Sequence, residues 1–194
     1  MQSKLLLIVA AVALPSLALA QARTAAHRSA HPAPSHAVPK SPVLASSKPA
    51  SSMPRSIGKF DDWQAATHQE AGQLVCYAFT RATSSQPALP GRGAVVLTVT
   101  QRNGGRDAVA VSAGFVYASG AEVQLAVDQA QLAFYTADRS AFARDGKAVV
   151  AAFEKGRQAI AKSPGPRNAA ESDTFSLRGF NPAYAATNKA CPAK

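Results

Sequence analysis

The sequence predicts a mainly β domain, an antiparallel sandwich of about eight strands with two short helices, preceded by a disordered basic arm. Three observations carry this. Apolar and polar residues alternate with period two in run after run of residues 59–194, the pattern of strands with one buried face. Short turn signals separate the runs, which argues for hairpins rather than for strands joined by crossover helices. Residues 21–58 are Ala, Pro and Ser with scattered bases and no carboxylate, a composition that cannot bury enough apolar surface to offset its ordering entropy.

The chain opens with Lys4, an apolar run over residues 5–14, a break at Pro15, and Ala18, Leu19 and Ala20 before Gln21. That order of charge, apolar run and small residues predicts a signal peptide over 1–20. The run is about half of the roughly 20 residues a spanning helix needs, and no later segment approaches that length. The expectation is a mature chain without a transmembrane span, periplasmic or secreted and surface-associated.

Within the arm, Pro32, Pro34, Pro39, Pro42, Pro49 and Pro54 oppose regular helix and central strand. The formal charge of +10 is concentrated in the signal and the arm: from Phe60 to Lys194, fourteen Lys and Arg face eleven Asp and Glu, a net of +3. Such an arm is drawn to anionic lipid or an acidic cell-wall polymer by screened contacts. It has no aromatic side chain to stack bases, so nucleic acid is not an expected partner. His27, His31 and His36 have no rigid scaffold to fix metal geometry, and no metal site is expected from them.

In the domain, Leu74, Val75, Cys76, Tyr77, Ala78 and Phe79 read as a strand covered on both sides. Val95, Leu97 and Val99 face a core, as do Val109, Val111, Ala113 and Phe115. Between those runs Asn103-Gly104 and Gly105 predict a tight hairpin turn with positive backbone angles. Val123, Leu125 and Val127 form the next inward face, continued after a turn by Leu132 and Phe134. Shorter candidates surround residues 60–64, 157–162 and 174–177, the last with Phe175 and Leu177 inward. Asp145 caps a helix that carries Val149, Val150 and Phe153 and ends at Gly156. Asn181-Pro182 predicts the start of a second.

Cys76 and Cys191 are the only cysteines, and downstream of a secretory signal they predict one disulfide tying the last helix to an early strand. No catalytic, metal or cofactor constellation is present: the domain has one histidine, His68, in a polar stretch that reads as loop or edge, and no Gly-x-Ser-x-Gly elbow. Trp63 reads as a core seal. Arg157, Lys162, Arg167 and Arg178 form a candidate patch for an anion or partner.

Phe60-Asp61-Asp62-Trp63, Leu74-Val75-Cys76-Tyr77-Ala78, Leu97-Thr98-Val99-Thr100-Gln101-Arg102, Asp173 through Phe180, and Asn188-Lys189-Ala190-Cys191 occur in one order. On these pieces the chain resembles the invasion-associated locus B family of exported bacterial proteins. The resemblance implies a periplasmic or surface-associated protein with an immunoglobulin-like β-sandwich, and supplies no catalytic residue. The functional expectation is a non-enzymatic envelope protein without cofactor, whose sandwich binds an envelope or host protein, with a link to host interaction or invasion. The alternative is a structural or stress-protective protein that adheres to anionic surfaces through its arm.

Overall fold

The computed structural model describes residues 53–193. The expected signal peptide over 1–20 and the expected arm before residue 53 lie outside the described residues. Eleven strands and two α-helices follow one another: β1 (Arg55–Phe60), β2 (Trp63–Glu70), β3 (Gln73–Arg81), β4 (Ser84–Gln86), β5 (Val96–Arg102), β6 (Gly105–Ser112), β7 (Glu122–Val127), β8 (Ala130–Ala137), β9 (Ser140–Ala143), α1 (Gly146–Phe153), β10 (Gln158–Pro164), β11 (Ala170–Ser176) and α2 (Phe180–Ala190). β1 takes in residues 55–58, read from composition as the end of the linker. A proline at 54 is compatible with this because β1 is an edge strand.

All pairings are antiparallel, in the order β1-β2-β3-β5-β6-β9-β8-β7-β10-β11-β4. The mainly β antiparallel class with two helices is the one the sequence predicts. β4 continues the path of β3: the Ala82 amide donates to the Val95 carbonyl at 3.0 Å and the Thr83 amide to the Thr174 carbonyl at 2.7 Å. One stretch of chain therefore leaves β5 and joins β11, and it draws the two flanks of the sandwich together around one core.

That core holds the residues the alternation marks: Val95, Leu97, Val99, Val109, Val111, Ala113, Val123, Leu125, Val127, Phe134 and Phe175 are buried, while Phe115 and Leu132 are half-buried. Three more strands form than the pattern shows. The segment around 60–64 is a hairpin that turns at Asp61, φ 48°, and β9 is set off by Asp138, φ 51°. Aspartate tolerates the left-handed region better than most residues but signals a turn more weakly than Asn-Gly does. β4 is three residues long and escapes periodicity altogether.

Two local expectations need correction. Asn103 and Gly104 do form the two-residue β5–β6 loop, but neither is left-handed; Asp107, φ 55°, takes that role beside a bulge in the pairing. The second helix begins at Phe180 with Gly179, φ 88°, as its cap, and Asn181 instead donates from Nδ2 to the Glu154 carbonyl at 3.1 Å. The first helix matches: Asp145 Oδ1 accepts from the Ala148 amide at 3.0 Å, and Val149, Val150 and Phe153 are buried. β3 is less covered than its composition suggests, for Tyr77 and Phe79 are half-buried and Leu74 is exposed.

Candidate functional site

The tail helix is held by covalent and polar bonds. Cys76 on β3 and Cys191 at the end of α2 form a disulfide with Cα atoms 6.0 Å apart. Arg106 adds a second hold, donating from one guanidinium nitrogen to the Cys191 carbonyl at 2.8 Å and from another to Asn188 Oδ1. Beneath the helix, Trp63 is fully buried, edge-on to Phe180 at 4.9 Å, and its indole N–H donates to the Ser176 carbonyl at 2.9 Å. Its hydrogen bond is satisfied and its ring is enclosed, which is the core role expected of it.

A polar cluster that periodicity alone does not announce lies at the other end of β11. The inward positions that hold Phe175 and Leu177 continue upstream as Asp173 and Glu171, both buried. Arg92, from the loop between β4 and β5, reaches Asp173 with two parallel bonds of 2.9 and 2.7 Å and donates from Nε to the Ala113 carbonyl at 2.7 Å. Its guanidinium also lies 4.9 Å from the centre of the Phe115 ring. Ser85 on β4 donates to Asp173 Oδ1 at 2.6 Å. This forked pairing gives geometric specificity as well as energy, and it joins the β4 flank, the loop before β5 and β11.

Glu171 is different. Its side chain is 0% exposed, its nearest cation is Arg92 at 3.5 Å, and neither carboxylate oxygen has a hydrogen-bond partner. Burial pushes its carboxyl above the ordinary 4.5; Arg92 opposes the shift and the neighbouring Asp173 adds to it. Glu171 lines a groove of about 520 Å³ together with Lys162, Ser163, Pro164, Ala170 and Ser172.

The four residues of the sequence-based patch do not converge. Arg157 and Arg178 are neighbours, since the Leu177 amide donates to the Arg157 carbonyl at 3.0 Å. Lys162 stands five residues along β10 from Arg157, roughly 16 Å at the rise of a strand, and Arg167 lies past the end of β10 in a 3-10 turn. Arg178 is committed to Asp62 at 3.4 Å and Asp61 at 3.9 Å. His68, expected in a loop or edge, sits within β2 and packs edge-on against Tyr77 at 5.5 Å. No group of three or more His, Cys, Asp or Glu side chains among the described residues is placed to hold a metal.

These features define a class: an antiparallel β-sandwich whose terminal helix is stapled by one disulfide and whose opposite flank is pinned by a buried arginine–carboxylate cluster. Residues 63–188 match the family model described as invasion associated locus B (IalB) protein, and the chain belongs to that family. The fold is similar to the crystal structure of invasion associated protein B from Bartonella henselae, with a TM-score of 0.51 and 18% sequence identity over 70% of this chain and 96% of that one. No curated protein matches the sequence.

Proposed function

We propose that this is an exported, non-enzymatic envelope protein that binds a macromolecular partner through the open edge of its sandwich. The observation that supports it best is β1. It pairs only with β2, stands at one end of the strand order, and has exposed residues at Arg55, Ser56, Ile57 and Lys59. Such an edge offers unpaired backbone N–H and C=O groups to an extended segment of another chain. Family membership supports an envelope setting and a link to invasion, the signal-like first twenty residues support export, and no helix among the described residues is long and apolar enough to cross a membrane.

The test is a photo-reactive amino acid in place of Ile57, irradiated in intact cells. A discrete covalent adduct absent from a control with the probe at Lys147, an exposed position on α1, supports the reading. Monomer alone at both positions counts against it. If adducts form only when the probe is in residues 21–52, the basic arm rather than the sandwich makes the contact, and the adhesive alternative replaces this one.

A further inference from the structure

We propose that the segment that pairs with β1 is an extended acidic stretch of another protein, with carboxylates placed to face Arg55 and Lys59; this rests on β1 being the binding edge. The strand reads Arg55-Ser56-Ile57-Gly58-Lys59-Phe60, two cations and no carboxylate. Both cations are exposed, and among the described residues neither enters an ion pair. Ile57 lies between them, drops out of register with β2, and is 37% exposed. The strand thus exposes a cation, an apolar side chain and a second cation at positions 55, 57 and 59.

The surroundings do not neutralise this charge. Asp62 accepts from Ser176 Oγ at 2.7 Å and lies 3.4 Å from Arg178, and Asp61 lies 3.9 Å from the same guanidinium. Lys59 acts on Asp62 at longer range, behind those two partners. Glu70, at the end of β2, is paired with Arg102 at 2.8 Å. Arg81, exposed and without an ion pair among the described residues, lines a groove with Lys59 and Gln64 beside the β1–β2 turn. Arg55, Lys59, Arg81 and Arg178 therefore stand against Asp61 and Asp62, which leaves an excess of positive charge on this side of the sheet.

The same charges disfavour a second copy of this chain as the added strand. An antiparallel copy centred on Ile57 sets each Arg55 opposite the Lys59 of the other copy, and like charges directly opposite are destabilising. Basic side chains and bulges on an edge prevent indiscriminate pairing, and a repulsion against one partner becomes selectivity for another of opposite sign. Length is bounded too. Pro54 has no N–H to offer before β1, and the chain turns at Asp61, φ 48°, so the pairing frame is the six residues Arg55–Phe60. A segment with Glu or Asp at two positions four apart, and an apolar residue midway, matches that frame.

The experiment is an NMR titration of the mature chain, residues 21–194 and 15N-labelled, with three peptides of one frame, acetyl-Thr-X-Thr-Val-Thr-X-Thr-amide, in which X is Glu, Gln or Lys. Saturable shifts are expected at the Arg55–Phe60 amides with the Glu peptide, and none with the Lys peptide. The Glu peptide should bind about fivefold or more tighter than the Gln peptide, since an opposite-charge cross-strand pair is worth up to about fivefold and two such pairs form. Arg55→Glu combined with Lys59→Glu should reverse the ranking at an unchanged thermal midpoint, both positions being exposed. Equal affinity for the Glu and Gln peptides at β1 overturns the acidic partner and leaves β1 as the binding edge. Glu-peptide shifts that survive in the double variant trace the attraction to charges elsewhere in the chain and overturn it as well. Silence at β1 with every peptide overturns it too; the cross-link at Ile57 then tells whether the edge itself fails. Concentration-dependent shifts at β1 without peptide would seat a second copy there and refute the charge argument.

Discussion

Reducing the Cys76–Cys191 bond, or replacing both residues by serine, should lower stability by about 5 kcal/mol. The magnitude follows from the 115-residue separation of the two cysteines, since loop closure in the chain-entropy treatment grows with the logarithm of loop length. With an unfolding entropy of about 2.1 cal/mol/K per residue over the roughly 140 described residues, the thermal midpoint should fall by about 17 °C. The domain should nevertheless stay folded at 25 °C. Ten of the largest fully buried side chains are apolar, from Trp63 and Phe134 to Val99 and Val111, and each contributes about 1.5–3 kcal/mol, so two or three of them match the bridge. The tail helix also keeps the Arg106 bonds to Cys191 and Asn188, which use a carbonyl and an amide rather than sulfur. Thermal and urea unfolding followed by far-UV circular dichroism and Trp63 fluorescence, with and without reductant, measures the effect. A loss under about 1 kcal/mol would refute the loop-closure argument, and loss of the native spectrum on reduction would refute the claim that the core suffices.

Arg92→Met should cost about 3–5 kcal/mol, because it strands the buried carboxylates of Asp173 and Glu171 without their cation; urea unfolding at neutral pH reads this directly. Gly179→Ala should cost at least about 1–2 kcal/mol for the left-handed backbone alone, and more because its Cβ would collide with the Phe60 carbonyl; a midpoint within error of wild type contradicts the close approach. Stability should fall as pH rises above 4.5, the ordinary value from which burial raises Glu171. In that window the folded carboxyl keeps a proton that the unfolded one has lost, and each pKa unit of difference is worth about 1.4 kcal/mol. Glu171→Gln should flatten this slope, which paired unfolding titrations at pH 5 and pH 8 would detect.

The sequence shows the residues that face the core more clearly than it shows how the chain turns. Val95, Leu97 and Val99, and the hairpin partners Val109 and Val111, announce their buried face because one repeated choice of side chain decides it. The β1–β2 and β8–β9 hairpins turn on Asp61 and Asp138, and an aspartate that follows an apolar residue and precedes a charged one is as consistent with a solvated strand position as with a left-handed turn. The start of α2 was obscured for a related reason. Asn181-Pro182 is a good helix opening in isolation, yet the close passage of Gly179 beside the Phe60 carbonyl lets the helix begin at Phe180 and bury that ring against Trp63.

The arginine–carboxylate cluster marks the boundary of what alternation can reveal. Extending the inward set of Phe175 and Leu177 back by two and four residues lands on Asp173 and Glu171, so the period does place both carboxylates inside. Composition argues the opposite, because acidic residues are rarely buried unless paired, and the partner Arg92 lies some eighty positions upstream between two glycines. Only the register of β4 against β11, with Ser85 opposite Asp173, brings that loop over the carboxylates. Within this fold the cluster and the disulfide fasten different pairs of elements. The bond between Cys76 and Cys191 holds the last helix to β3, and the Arg92 fork holds the loop before β5 to β11. Their stability effects share no residue, so Arg92→Met combined with reduction should be additive to within about 0.5 kcal/mol. A larger coupling would mean that the path from β3 through β4 to β11 transmits strain between the two flanks.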